Sequence, residues 1–178
     1  RRTAGPDREN AMPTADTIRT LLRLEPLERE GGCFAETYRS ALTLPPGASP
    51  AIGAPRALAS AIYYLLEPGS FSALHRLRAD ELFHFYVGDP VEMLQLGPGA
   101  ESRVLTLGTD LAAGARPQAP VPAGVWQGSR LAAGGRWALL GTTVAPAYDP
   151  DDFELGRRAD LAARWPERRA LIEALTRA

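Results

Sequence analysis

The sequence contains no lysine, so all 20 of its basic residues are arginine, and 21 acidic residues leave a net charge of −1. Proteins that bind nucleic acid use a basic excess to neutralise phosphates, and this chain has none. Long apolar runs are absent too, since none approaches the ~20 residues of a membrane-spanning helix. We therefore expect neither nucleic acid nor a membrane among its partners.

Cysteine and histidine are scarce. The single cysteine, Cys33, cannot form an internal disulfide, and the first residues lack the apolar segment of a signal peptide. These features predict a soluble cytoplasmic protein. Phosphate-binding loops, serine-nucleophile elbows and cysteine pairs at zinc-binding spacing are also missing. The two histidines, by contrast, lie together in the stretch HRLRADELFHFYVG (75–88).

Short apolar segments separated by Gly and Pro dominate the chain. Strands are predicted over 33–44, 58–66, 81–87, 91–96, 103–107, 119–121 and 137–144. Helices are predicted over 14–23, 160–165 and 166–177, where apolar residues recur at helical spacing. The pattern favours an all-β sandwich or barrel with short helices at both ends. We expect one domain over 14–178, preceded by an extension over 1–13.

The spacing G-x5-H-x-L-x3-E-x6-G (69–88) resembles the first motif of the cupin superfamily, and PAGVWQ (122–127) stands in place of the second. Several further blocks, in one order along 30–155, are similar to the cupin_5 family, also called DUF985: EGGCFAETYRS, SAIYYLL, HRLRADELFHFYVGDP, LGTDLAAGARPQAPVPAGVWQ and FEL. The resemblance implies a cupin-type double-stranded β-helix, or jelly-roll barrel, and a homodimer. It does not imply a reaction, because a fold does not name a function.

The two cupin motifs place two histidines, a glutamate and a third histidine around one metal ion. In this sequence Leu77 stands at the second histidine position and Gln127 at the third. One imidazole from His75, one carboxylate from Glu81 and one amide make a poor site for Zn²⁺ or Fe²⁺. A divalent metal (Fe, Mn, Ni or Zn) on His75, Glu81 and Gln127 is one hypothesis, and a site without metal is the other.

Alternation along the strand places Glu81, Phe83 and Phe85 on one face and His84 on the other, unless a bulge intervenes. The first three are candidates to line a ligand pocket. His84 is a further ligand-binding candidate, although alternation favours an outward or interface position for it.

His75 and Leu77 share a face on the preceding strand. A pocket with an apolar wall at Leu77, Phe83 and Phe85 and a polar end at His75 and Glu81 suits a small organic ligand. Apolar surroundings raise the pKa of a carboxyl group, which makes the pair a candidate general acid–base couple. The alternative for His75 is a satisfied buried polar pair without a catalytic role.

Other candidates come from neighbouring blocks. Glu36 and Tyr38 share a face, and an inward orientation would add a carboxylate and a phenol to the pocket. One tyrosine of SAIYYLL is expected to enter the barrel, with Tyr63 as the candidate that assists proton transfer. Gln118 is a polar candidate near the mouth, and Trp126 is either a stacking wall for a ligand or part of the core.

Three functions are compatible with these residues. The first is an enzyme doing acid–base chemistry (isomerase, epimerase, dehydratase or cyclase) on a small carbonyl-containing or sugar-like metabolite. The second is a metal-dependent dioxygenase or lyase with a degenerate site. The third is a non-catalytic module that binds a small ligand.

Overall fold

The computed structural model describes residues 12–48 and 52–177, so most of the predicted extension over 1–13 lies outside the described residues. The described residues form thirteen strands. The strands are β1 (Glu25–Pro26), β2 (Cys33–Arg39), β3 (Thr43–Leu44), β4 (Arg56–Ala57), β5 (Ser60–Leu66), β6 (Phe71–Arg76), β7 (Asp80–Gly88), β8 (Val91–Leu96), β9 (Ser102–Leu107), β10 (Gln118–Val121), β11 (Trp126–Leu131), β12 (Ala138–Ala145) and β13 (Glu154–Leu155). The α-helices are α1 (Ala15–Leu22), α2 (Arg158–Arg164) and α3 (Arg169–Ala174), with single 3₁₀ turns at Pro150–Asp152 and Pro166–Arg168.

Two antiparallel sheets form the body of the molecule. The larger has the order β1-β2-β5-β12-β7-β10, and the smaller has the order β13-β6-β11-β8-β9. Their inner faces enclose an apolar core in which each large side chain contributes about 1.5–3 kcal/mol by leaving water. The largest members of this core are Tyr64, Leu66, Phe83, Phe85, Met93 and Leu140. Within 12–48 and 52–177 no ladder joins the two large sheets. The predicted jelly-roll fold is confirmed, in the form of a flattened sandwich.

Helices cover the outer faces of both sheets in part, as predicted at both ends of the chain. Thr14 caps α1 by accepting a hydrogen bond from the amide of Thr17, and Ile18 packs near Leu65 of β5. The C-terminal helices bury Trp165 and Ile172 against the smaller sheet. No helix of the described residues is long and apolar enough to cross a membrane.

Two strands that carry site residues, β6 and β11, have no predicted bounds, although a strand through His75 was expected before Glu81. Four consecutive residues of β6, Ser72 to His75, are buried, because the inner face meets the core and the outer face lies under the C-terminal helices. Burial on both faces removes the alternation that identifies a half-exposed strand. In β11 the small residues Gly128 and Ser129 weaken the apolar signal.

A tight loop between β1 and β2 is built on Gly31 and Gly32, which have φ values of +110° and +71°. A Cβ on Gly31 would lie 2.2 Å from the carbonyl oxygen of Phe71, so only glycine fits there. The Tyr64 hydroxyl donates to the carbonyl of Gly31 at 2.9 Å, and the amide of Ala73 donates to the carbonyl of Glu30 at 2.9 Å. These contacts fix the backbone of Glu30 against β6.

We expect Gly31→Ala to destabilise the protein more than Gly69→Ala does. Both glycines have positive φ, which costs an alanine about 1–2 kcal/mol, but a Cβ at Gly69 meets no atom within 4 Å. The clash with Phe71 should add about 1–3 kcal/mol at Gly31. Urea unfolding of the two variants measures this difference in the free energy of unfolding, and equal losses would show that the loop yields to the added methyl group.

Candidate active site

A cavity of about 200 Å³ opens at one end of the sandwich and is lined by residues from both sheets. Its walls are mostly apolar, with Phe34, Ile62, Leu77 and Val144 among them. Polar side chains gather at its inner end: Glu30, His75, Glu81 and Thr142. An apolar cleft with a few convergent polar groups is the usual form of a small-molecule site.

His75, Gln127 and Glu81 form one buried hydrogen-bonded network. Nδ1 of His75 lies 2.7 Å from the carbonyl oxygen of Ala73, which only accepts, so this nitrogen carries the ring proton. The Gln127 amide nitrogen donates to Nε2 of His75 at 2.7 Å and to a carboxylate oxygen of Glu81 at 3.1 Å. The predicted convergence of His75 and Glu81 is therefore present, with the Gln127 amide between them.

The fold raises the proton affinity of the Glu81 carboxyl group. Burial raises the pKa of Glu81 to about 8, with repulsion from Glu30 adding to the rise. Hydrogen bonds from Thr142 and Gln127 oppose it. Near neutral pH the group is therefore largely protonated and able to donate a proton inside the cavity.

Glu30, which the sequence analysis did not select, provides a second carboxylate at the inner end of the cavity. The Ser72 hydroxyl donates to its Oε1 at 2.6 Å, and its Oε2 lies 3.7 Å from Nε2 of His75. Its side chain is 14% exposed, so it remains open to the cavity. The signal for it is the Gly-Gly pair that follows Glu30, because two flexible residues indicate a backbone forced into an unusual conformation.

Aromatic residues and one arginine surround the outer part of the site. Phe153 stacks on the His75 ring with a centroid distance of 4.8 Å, and the Arg29 guanidinium lies 4.8 Å from the centre of the Phe153 ring. Tyr148 lines the same cavity, where burial raises its pKa and Arg29 lowers it. Neither Tyr148 nor Phe153 lies in a strand, so strand alternation could not have selected them.

The predicted pocket residues divide into two groups. Leu77 lines the cavity, and Glu36 does so with its carboxylate paired to Arg39 at 2.7 Å. Phe83 and Phe85 do share a face with Glu81, but they are buried in the core between the sheets and do not line the cavity. Their expected role as pocket walls is corrected because the sheets close around them.

The two predicted catalytic tyrosines lie outside the cavity. A β-bulge between Glu36 and Tyr38 breaks the alternation in β2, and Tyr38 is 55% exposed. In β5 it is Tyr64 that enters the core, while Tyr63 packs on the outer face of the sheet, edge-on to Tyr86. Neither Tyr38 nor Tyr63, the tyrosines expected to assist proton transfer, lines the cavity.

Three further ligand-binding candidates are also away from the cavity lining. His84 faces outward, where Nε2 lies 3.1 Å from the Thr143 hydroxyl and Nδ1 lies 3.1 Å from the amide of Gln118. His84 thus faces outward, as strand alternation favours, and neither His84 nor Gln118 lines the cavity. Trp126 packs beside the C-terminal helices with Arg76 4.5 Å from its ring centre, which makes it part of the structural packing.

The family model of the cupin superfamily Cupin_5 (DUF985) matches residues 16–156. The chain belongs to this family. The chain is similar to a protein from Shewanella oneidensis of known crystal structure, with 38% identity over 93% of this chain and 99% of that one and a TM-score of 0.82. A hypothetical protein from Leishmania major is 30% identical over 93% of this chain and 100% of that one, with a TM-score of 0.83.

A more distant structure shares the fold alone. A cupin 2 conserved barrel domain protein from Rhodopseudomonas palustris is 16% identical over 86% of each chain, with a TM-score of 0.52. A search of curated proteins found no match.

The metal that cupin motifs imply does not fit the side chains of this Cupin_5 member. Leu77 gives the cavity an apolar wall where the motif has a histidine, and the Gln127 NH₂ group occupies the Nε2 lone pair of His75. Among the described residues, no three His, Cys, Asp or Glu side chains form a group that could hold a metal ion. An imidazole whose lone pair is occupied and a carboxyl group that burial keeps protonated make a poor donor set for tight metal binding.

The raised pKa of Glu81 predicts a pH-dependent stability difference between the wild type and Glu81→Gln. The unfolded carboxyl loses its proton near pH 4.5 and the folded one only near pH 8. The folded state therefore binds more protons in this window, and the wild type loses stability as pH rises through it. The stability of Glu81→Gln relative to the wild type should increase from pH 5 to pH 8 and then level off.

Thermal unfolding at a series of pH values measures this effect. Glu25→Gln, at an exposed position on β1, is the matched control and should show a nearly constant difference from the wild type. A constant difference for Glu81→Gln as well would show that Glu81 ionises normally in the folded protein.

Proposed function

We propose that this protein is an enzyme that moves protons on a small carbonyl-containing or sugar-like metabolite bound in the cavity, in an isomerase- or epimerase-type reaction. The observation that carries the proposal is the buried Glu81 carboxyl group, whose pKa of about 8 leaves it protonated near neutral pH at the inner end of an apolar cavity. General acids are effective when their pKa lies near the working pH.

The surrounding residues support this role for Glu81. The Gln127 amide, which also bonds to His75, limits the carboxyl group to one position, and Thr142 adds a second hydrogen bond. Preorganised polar groups of this kind need no rearrangement at the moment of reaction. Tyr148 takes the place of the expected Tyr38 or Tyr63 as the phenol beside the ligand.

A second candidate function is ligand binding without turnover. It is favoured by the complete hydrogen bonding of the His75 ring, both of whose nitrogens have partners within the protein. A buried imidazole whose two nitrogens are both hydrogen-bonded can serve structure alone. Thermal-shift screening finds ligands for either function, because binding to the folded state raises apparent stability, and turnover of the ligand separates the two.

Glu81→Gln should remove proton transfer. We expect the wild type to incorporate deuterium from D₂O at the carbon next to the carbonyl of at least one neutral probe, such as glyceraldehyde, dihydroxyacetone or an aldopentose. Loss of the acid should lower the rate about 10²–10⁴-fold. Proton NMR follows the exchange, with Glu25→Gln as a control at the wild-type rate. Exchange that survives in Glu81→Gln would contradict the assignment.

We also propose that the protein forms a homodimer through the outer face of the larger sheet. There Tyr86 lies across Gly141, leaving no room for a side chain on that glycine. It stacks with His84 and meets Tyr63 edge-on, yet remains 49% exposed. We call Tyr63, His84, Tyr86 and Gly141 the outer patch. Exposed aromatic groups on a flat sheet are typical of interface cores.

Tyr86→Glu should convert the dimer into a monomer, because it places a charge in the centre of the apolar contact. Light scattering after size exclusion should give twice 19.1 kDa for the wild type and 19.1 kDa for the variant. Val104→Glu, on the edge strand of the other sheet, should remain dimeric. A wild type that elutes as a monomer would rule the interface out.

A further inference from the structure

Glu30 has the features of a positioned catalytic group. The Gly31–Gly32 turn places the backbone of Glu30 in contact with β6. The Ser72 hydroxyl donates a hydrogen bond to one carboxylate oxygen of Glu30 at 2.6 Å. Its other oxygen lies 3.7 Å from Nε2 of His75 and is the one not held by Ser72. A side chain fixed at both ends while it lines a cavity is suited to act on a bound molecule.

We propose that Glu30 is the catalytic base of this site and that Glu81 is the matching acid, acting on an uncharged α-hydroxy aldehyde or ketone. This inference rests on the proposed proton-transfer function and assigns its second residue. It replaces His75, the partner that the sequence indicated for Glu81, by a residue outside the two cupin motifs.

His75 is poorly placed to accept a proton. Its Nδ1–H donates to the carbonyl of Ala73, and its Nε2 lone pair already accepts a hydrogen bond from the Gln127 amide at 2.7 Å. Protonation at Nε2 would bring two N–H groups face to face. The ring is also covered by Phe153 and only 1% exposed. Its contacts instead hold Gln127, and through Gln127 the carboxyl group of Glu81.

The two carboxyl groups have different surroundings, which separates their roles. Glu81 is buried, and burial favours its neutral form although the hydrogen bonds from Thr142 and Gln127 oppose this. Glu30 is partly open to the cavity, and the Ser72 hydroxyl holds only one of its carboxyl oxygens, which leaves the other free to reach a bound molecule. Two carboxyl groups in one cavity with different environments are a common source of one acid and one base.

The resulting step is balanced without a cofactor. The Glu30 carboxylate takes the proton from the carbon beside the carbonyl, and the C–H electron pair becomes the C=C bond of an enediol. The carbonyl π pair takes the proton of Glu81, forming an O–H bond. Glu30 then returns its proton to the former carbonyl carbon, and the hydroxyl group on the adjacent carbon gives its proton to Glu81 as the new carbonyl forms. These transfers complete an isomerisation and restore both carboxyl groups.

The charges around the cavity favour an uncharged substrate. Glu28, Glu30 and Glu36 line it together with Glu81, and Arg29 is its single permanent cation among the described residues. Arg39, nearby, is paired with Glu36. A phosphorylated or carboxylated substrate would meet more negative than positive charge, whereas hydroxyl groups can donate to these oxygens.

The first comparison measures deuterium exchange into glyceraldehyde by Glu30→Gln, Glu81→Gln and the control Glu25→Gln. The second measures exchange by the wild type into glyceraldehyde and into glyceraldehyde 3-phosphate. We expect kcat for exchange to fall at least 100-fold in Glu30→Gln with little change in KM, and Glu30→Asp to recover part of it. The phosphate ester should be exchanged at least tenfold more slowly than glyceraldehyde. If Glu30→Gln exchanges deuterium at the wild-type rate while Glu81→Gln does not, the assignment of Glu30 as the base is wrong and the proposed function still stands.

A second measurement does not depend on turnover. Carbon NMR titration of the glutamate carboxyl groups should show a lower pKa for Glu81 in Glu30→Gln than in the wild type, because the facing negative charge is gone. This variant leaves the other titratable and charged groups near Glu81 unchanged. They are His75, Tyr64 and Tyr148, with Arg29 in the lining of the same cavity. An unchanged Glu81 titration would overturn the pairing, and a wild type that exchanges none of the neutral probes would overturn the proposed function together with this inference.

Discussion

The bond from one Gln127 amide to both His75 and Glu81 is the interaction on which the site depends. The amide supplies two N–H groups, one for an imidazole lone pair and one for a carboxylate oxygen, at 2.7 and 3.1 Å. Without it, two buried polar groups would lose their partner, at a cost of about 1–3 kcal/mol each. The network therefore holds the Glu81 carboxyl group in place at a buried position.

The same bond explains how a cupin motif can keep its geometry after losing two of its metal ligands. In the metal-binding pattern an ion connects the side chains of the two motifs. In this member of the family β11 still places its side chain beside His75 of β6, as the Gln127–His75 register shows. An amide hydrogen bond joins the strands there, and Leu77 turns the remaining ligand position into an apolar wall. The two altered positions therefore still join β6 to β11 and give the cavity an apolar wall.

Burial at the end of an apolar sandwich then sets the protonation of the site. Glu81 lies on the strand that also carries Phe83 and Phe85 into the core, so the packing that stabilises the fold also removes water from the carboxyl group. Glu30 reaches the same cavity from a loop fixed by two glycines. Stability and site chemistry are thus linked, because a charge on Glu81 is disfavoured by the same apolar contacts that hold the sheets together.

The sequence alone determined the family, the all-β fold with short terminal helices, and the meeting of His75, Glu81 and Gln127, because fixed motif spacings and local turn signals carry that information. It also determined the outward direction of His84, since strand alternation is local. It could not determine that Tyr38 leaves the cavity, because a bulge shifts the alternation by one residue. Nor could it select Glu30 or Tyr148, which reach the site from loops that are distant in sequence from His75 and Glu81. Only the tertiary structure decided those positions, since long-range packing of β6 against the Gly31 turn, and not any local pattern, brings them to one cavity.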